Sequence, residues 1–431
     1  MMHGRAVVLA TALVAACEVS VEKIEAWKDT QRGPFKIRTA LNDDGQAIEV
    51  RTAALIALVD IDHPEWIDED FKTLPAAEVG AIVDRAMPGL IQKMNGTNPK
   101  APPKPGQIKA KDAVFALRSF ASPAVRAQVD TSLIEWIAVD LGERLLLGLH
   151  NAVKIATAVG PAAGPALARS LGPETLDVVE PATLLRQVGD AASIEAGAEN
   201  LVRLAQAQRP AREQTYLALG RLGGKRAAQY LNEVARSGEA QLRQWALRAL
   251  QLVGDPSSVA GARAIAGNVA EDLAIRQDAF DLLGVIAKAG DASAGEALLG
   301  FLGDKNEKVR YTVIDALCQT QKDDLIAKML QRLPPGAPYK PGDLRDLIEE
   351  PVRRSGVGEK LAPALRAMLG SPSWITRLVA ARLLGDFGTV EDVVRLQRLG
   401  SADDTPLRGW PGGATVGSEA RAAAQRIQRR G

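Results

Sequence analysis

Apolar positions recur along most of this chain with the period of an α-helix, in short runs separated by polar breaks. The stretch from Gly290 to Gln319 shows the unit. Ala294, Ala297, Leu298, Phe301 and Leu302 fall at i, i+3, i+4, i+7 and i+8, one apolar face of a 3.6-residue period. Gly303-Asp304-Lys305-Asn306 then breaks the helix, with Gly suited to a C-terminal cap and Asp or Asn to the next N-cap. Val309, Val313, Ile314 and Leu317 line a second helix that also carries Arg310. A pair of this size cannot bury both apolar faces alone, so it needs neighbours of its own kind.

The neighbours share a signature: Arg near the start of the second helix, a small or β-branched residue at +3, and usually Leu at +7. It runs Arg212/Thr215/Leu219, Arg243/Ala246/Leu250, Arg276/Ala279/Leu283, Arg310/Val313/Leu317 and Arg377/Ala380/Leu384, with Arg345/Ile348/Val352 between the last two. Successive Arg residues are 31, 33, 34, 35 and 32 positions apart, within the range of helical-pair repeats. Arg51/Ala54/Leu58 repeats the pattern near the N-terminus. This resembles the HEAT repeat, in particular its short bacterial variety. The resemblance implies an all-α αα-superhelix, a HEAT-type solenoid, of roughly ten or eleven helical pairs. It also implies a polar ladder between units, in which a turn Asp and an Arg six residues on take part. Asp304 and Arg310 match that pair, Arg243, Arg276 and Arg377 occupy the Arg position, and Ser237 and Ser371 replace the Asp before Arg243 and Arg377.

Before the regular array, helices are predicted over 21–38 with a break at Gly33-Pro34, then 47–59, 76–94, 107–120, 122–140 and 142–159. Residues 60–70 read as an acidic connector. From Asp190 the predicted pairs are 190–208 with 210–222, 224–236 with 239–253, 256–267 with 271–288 and 291–302 with 306–320. Three more follow: 323–332 with 343–355, 358–369 with 373–387, and 389–399 with 417–429. The expected organisation is therefore a signal segment over 1–16, irregular helical repeats over 17–189, and regular repeats with a C-terminal cap over 190–431, one continuous solenoid.

The signal segment rests on Met1 to Ala16, where Arg5 precedes an apolar run that ends in small residues. Val14-Ala15-Ala16-Cys17 resembles the lipobox of bacterial lipoproteins. That resemblance implies diacylation of Cys17 through its sulfur and cleavage after Ala16. Glu18 in the following position leans towards the outer membrane, facing the periplasm. The alternative is a first solenoid helix that ends in Ala-Ala-Cys, which would leave the chain cytoplasmic. If Cys17 carries lipid, Cys318 stands alone and no intramolecular disulfide forms.

Composition narrows the function further. Aromatic residues make up 4% against 46% hydrophobic, so the interior is built from Ala, Leu and Val. With 53 Lys+Arg and 52 Asp+Glu, the formal charge of +1 supplies no global field for nucleic acid, and no nucleic-acid partner is expected. Three His and two Cys leave little for metal or thiol chemistry, and no cofactor is expected. Asp60 to Asp70 fails as an EF-hand loop because Pro64 and Glu65 stand where an oxygen ligand and Gly are needed. His63 and His150 have no convergent partners in the sequence, and His150 reads as a helix-face residue. Gly220 to Arg226 lacks both the preceding strand and the Ser or Thr of a phosphate loop. No residue identifies a reaction, so the chain reads as a non-enzymatic scaffold binding protein partners of the cell envelope and held to the membrane by its lipid. The alternative is a cytoplasmic scaffold, a phosphate binder working through the Arg residues, or a HEAT-like lyase. Three long loops, Thr97–Gly106, Leu333–Gly342 and Ser401–Gly417, all read as joining the first helix of a pair to its second. They would then share one rim and offer Lys104, Tyr339, Lys340 and Trp410 to a partner.

Overall fold

A computed structural model describes residues 19–61, 63–97, 101–139, 148–173, 177–335 and 341–430. Among the described residues there is no β-strand, only an isolated bridge between Pro406 and Thr415. The protein is all-α, a HEAT-like array of stacked helical pairs, and divides into two compact units after Ala207. That division falls inside the expected pair 190–208/210–222. The signal segment and Cys17 lie outside the described residues, as do Tyr339 and Lys340.

The first unit contains α1 (Val21–Trp27), α2 (Gly33–Asn42), α3 (Ile48–Asp60), α4 (Pro64–Phe71), α5 (Ala76–Asn95) and α6 (Pro105–Leu117). It continues with α7 (Pro123–Val139), α8 (Ala152–Val159), α9 (Gly164–Arg169), α10 (Val179–Val188) and α11 (Ala191–Ala207). α3, α5 and α7 pack in succession as the second helices of their pairs, so α2, α4 and α6 are the first helices.

α4 corrects the expected acidic connector. Pro64 suits the first turn of a helix, and Ile67 and Phe71 are one turn apart and buried at 3% and 4% exposure. Asp70 is buried rather than solvated. It accepts hydrogen bonds from Arg38 Nη2 at 2.7 Å and from Asn42 Nδ2 at 2.7 Å. Because α4 is a first helix, α5 is a second helix, and residues 97–106 connect one pair to the next. The premise that placed Lys104 on the rim of the other two loops therefore fails. Lys104 is exposed and caps α6, its backbone N–H donating to Gln107 Oε1 at 2.9 Å. His150 is likewise not on a helix. It lies in the turn before α8, and its backbone N–H donates to Asp112 Oδ1 at 3.0 Å.

The second unit contains α12 (Glu213–Leu222), α13 (Lys225–Ser237), α14 (Ala240–Val253), α15 (Val259–Gly267), α16 (Leu273–Lys288), α17 (Ala292–Gly300) and α18 (Glu307–Gln319). α19 (Asp323–Gln331) follows. α20 is composite, Pro341–Leu344 leading through a π-helical turn, Arg345–Glu349, into Glu350–Arg354. α21 (Gly358–Met368), α22 (Trp374–Phe387), α23 (Asp392–Ala402) and α24 (Val416–Arg430) complete it. The second helices α12, α14, α16 and α18 pack closely side by side, while the first helices α13, α15, α17 and α19 touch sparingly. The second helices thus form the tighter, inner row. Small residues permit this. A Cβ on Gly220 would sit 2.8 Å from the Ala249 carbonyl oxygen on the next inner helix.

The repeated Arg residues join these layers. Arg276 is 4% exposed; its Nε donates to the Ala266 carbonyl at 2.8 Å and its Nη2 to Asp304 Oδ2 at 2.9 Å. Arg51 bonds the Leu41 carbonyl and Glu78, and Arg243 bonds the Ala235 carbonyl and Glu271. Arg377 bonds the Ser371 carbonyl and Asp403. Each guanidinium thus caps the end of its own first helix and reaches a carboxylate at the turn of the following pair. Arg310 differs from the expected pairing. It donates to the Asp304 carbonyl oxygen at 2.7 Å, leaving the Asp304 side chain to Arg276.

Candidate functional site

The inner row of the second unit opens into a groove of about 610 Å³ over α14, α16, α18 and the end of α20, with a second hollow of about 410 Å³ beside it. Asp281 and Asp315 line both. The register of the repeat places them there. Five residues after the signature Arg, the second helix presents Arg248, Asp281, Asp315, Glu350 and Arg382 in successive pairs. These positions point away from the first helices, so packing leaves their chemistry unconstrained.

The carboxylates differ in how they are satisfied. Arg248 Nε lies 3.4 Å from Asp278 Oδ1, yet Asp278 Oδ2 is buried without a hydrogen-bond partner. Asp315 accepts from Gln319 Nε2 at 2.6 Å and lies 3.4 Å from Arg354 Nη2. Asp281, between them, receives no hydrogen bond or ion pair from the described residues. It is exposed and lines both hollows. Desolvation, followed by repulsion from Asp278 and Asp315, pushes its carboxyl up to about 6. Burial also raises Asp278. Lys288, Arg354, Gly284 and Val285 also line the groove. Such a surface offers the carboxylate acceptors Asp278, Asp281 and Asp315 beside the cations Arg248, Lys288 and Arg354.

It does not offer a nucleophile. Cys318 touches the groove but is buried, and desolvation pushes its thiol up to about 12, far from a reactive thiolate. Among the described residues no group of three or more His, Cys, Asp or Glu is arranged to hold a metal ion. The ladder residues Arg243, Arg276, Arg310 and Arg377 lie between helices, engaged with carboxylates and carbonyls, and form no open basic stripe.

Of the loop aromatics, Trp410 is described. It is half-buried, and the Arg382 guanidinium lies 5.5 Å from its ring centroid, itself bonded to Glu349 and Glu419. The loop that carries it is a small hairpin, closed by Leu407 N–H donating to the Ala414 carbonyl at 2.9 Å and Val416 N–H to Thr405 at 3.1 Å. Trp410 therefore packs the loop onto α22. Sequence reasoning missed Asp278, Asp281 and Asp315, although extending the repeat register to its +5 position finds two of the three.

No family model matches the sequence, and no curated protein matches it. The fold is similar to solved helical-repeat structures. Kap121p is 12% identical with a TM-score of 0.42 over 92% of this chain and 42% of its own. Pds5 in its complex with Scc1 is 12% identical with a TM-score of 0.35, over 88% and 67% respectively. Human deoxyhypusine hydroxylase in complex with glycerol is 19% identical with a TM-score of 0.27, over 67% and 96%. The chain thus spans less than half the length of Kap121p.

Proposed function

We propose that this protein is a non-catalytic scaffold that binds another protein through the inner groove of its second unit, and that lipid on Cys17 holds it in a bacterial cell envelope. The observation that carries the binding reading is Asp281, an uncompensated carboxylate facing an open groove. Asp281 is exposed at that groove with no partner of its own among the described residues, and Asp278 and Asp315 crowd it with like charge, so a counter-charge brought by a partner relieves the repulsion. Lys and Arg side chains of a partner supply the missing counter-charges, and the flanking Arg248 and Arg354 limit the number accepted. The lipid reading is supported by Val14-Ala15-Ala16-Cys17 and by the apolar run before it. Phosphate binding through the Arg ladder is disfavoured, because those guanidinium groups are already engaged inside the repeat.

The test is site-specific photo-crosslinking in cells. A photoreactive residue at Val285, which lines the groove, should give a discrete protein adduct, and one at exposed Val390 should not. Asp281→Arg should abolish the Val285 adduct. Equal labelling from both positions, or an adduct indifferent to Asp281→Arg, would overturn the reading.

A further inference from the structure

The beginning of the described chain carries an aromatic ridge. Phe35 on α2 is 65% exposed and its ring lies 5.3 Å from that of Trp66 on α4. His63 stacks on Trp66 at 4.2 Å, with 9° between the planes. Trp27, at the end of α1, is half-buried with Lys36 Nζ 5.4 Å from its ring centroid, and the Arg38 guanidinium lies 5.2 Å from Trp66. Val21 opens α1 with 40% of its surface exposed. In a chain with 6 Trp and 7 Phe in 431 residues, Phe35 and Trp66 pair at a surface, and Lys36, next to Phe35 in the sequence, reaches the Trp27 ring.

The ridge has a geometric relation to Cys17. Helix α1 begins at Val21, so only three residues, and four Cα-to-Cα steps, separate its start from Cys17. Fully extended, they span at most about 14 Å. An anchor on Cys17 would hold α1 within about two headgroup-layer thicknesses of the acyl chains. With so short a tether, one surface of the first unit must face the bilayer, and the ridge has the chemistry of that depth. Tryptophan and phenylalanine rings partition to the interface, while Lys36 and exposed Arg32 reach phosphates. Exposed Asp29 and Glu69 balance these cations locally, which favours a zwitterionic surface entered by the rings over attraction to anionic lipid.

We infer that Phe35, Trp66 and Trp27 form a membrane-facing patch that seats the first unit on a phosphatidylcholine- or phosphatidylethanolamine-type interface. This rests on the lipid-anchor reading, so the test attaches the lipid chemically. Cys318 is buried with an unreactive thiol, and a maleimide lipid couples the full chain through Cys17. The coupled protein is placed on phosphatidylcholine vesicles with ordinary or brominated acyl chains, and tryptophan emission is read. Brominated chains should quench part of the emission. Trp66→Phe should remove about half of that quenched component, and Phe35→Ser should reduce it at least twofold with an unchanged far-ultraviolet spectrum. Emission untouched by brominated lipid, with Trp27 and Trp66 fully open to iodide in the water, overturns the patch while leaving anchoring intact. So would a ridge that crosslinks to a protein in cells and remains unquenched on vesicles. Absence of acylation in cells removes the anchor reading, and the vesicle result still decides the patch.

Discussion

At the scale of the residue, Asp281 separates what the fold needs from what it tolerates. Its folded-state carboxyl sits near 6, above the value of an unfolded chain, so ionisation opposes folding. The penalty is absent below about pH 4, grows as pH rises towards 6 and is constant above it. Asp281→Asn should therefore raise the melting temperature at pH 7 and leave it unchanged at pH 4. Because the carboxyl remains partly open to water, the gain should stay under about 1 kcal/mol. The same titration predicts that partner affinity weakens as pH falls through 6. Asp392 is the opposite case. It is fully buried, and hydrogen bonds from Arg366, at 2.7 and 3.0 Å, and from the Thr389 N–H hold it down at about 2. Its contribution is present above about pH 4 and lost as pH falls towards 2, about 2 kcal/mol in all. Asp392→Asn should flatten acid unfolding over that window in a denaturant series. In the ladder, Arg276→Ala leaves Asp304 without its partner and should cost about 3 kcal/mol. Arg310→Ala loses only bonds to half-exposed carbonyls, about 1 kcal/mol by the same denaturant measurement. A sequence pattern locates most of the ladder Arg residues, although Arg345 fits it and instead lies exposed against the adjacent Asp346, and it cannot say which carboxylate each will meet, because that depends on how successive pairs stack.

Helices were legible wherever an apolar face outlasted its turns. From Lys225 onward the observed elements follow the expected pairs closely, since Gly and Asp caps punctuate a steady 3.6-residue period. α4 was missed because its eight residues hold two buried apolar positions among four acidic ones, and charge density outweighed the spacing of Ile67 and Phe71. That one error moved Lys104 from an expected rim to a connection between pairs. Arg126 was overlooked although Arg126/Val129/Leu133 repeats the signature. Its guanidinium donates to the carbonyls of Ser119 and Ala121 at 3.0 Å, the ladder's own geometry. The close contact between α12 and α14 makes a further prediction. Gly220→Val drives a side chain into the Ala249 backbone and should destabilise by about 1–3 kcal/mol. Gly342→Val, where no neighbouring atom lies within 4 Å of a new Cβ, should be nearly silent in the same thermal melts.

Across the whole molecule, the sequence carried the architecture and left the site obscure for a physical reason. Apolar periodicity reports what is buried, and a repeat fold buries the same positions in every pair. A binding surface is built from the positions that periodicity leaves free, so it emerges only when several pairs are set side by side. The groove takes Arg248 and Gln251 from α14, Asp281 from α16, Asp315 from α18 and Arg354 from α20. No helix among the described residues is long and apolar enough to cross a membrane. The proposed membrane attachment rests on Cys17 and the segment before it. The direct measurement is membrane fractionation with N-terminal mass analysis of the wild type and Cys17→Ser, each expressed with its native start. The account predicts a membrane-bound chain beginning at acylated Cys17, and an unprocessed, unacylated chain in the variant. A soluble chain that retains Met1 to Ala16 in both would contradict it.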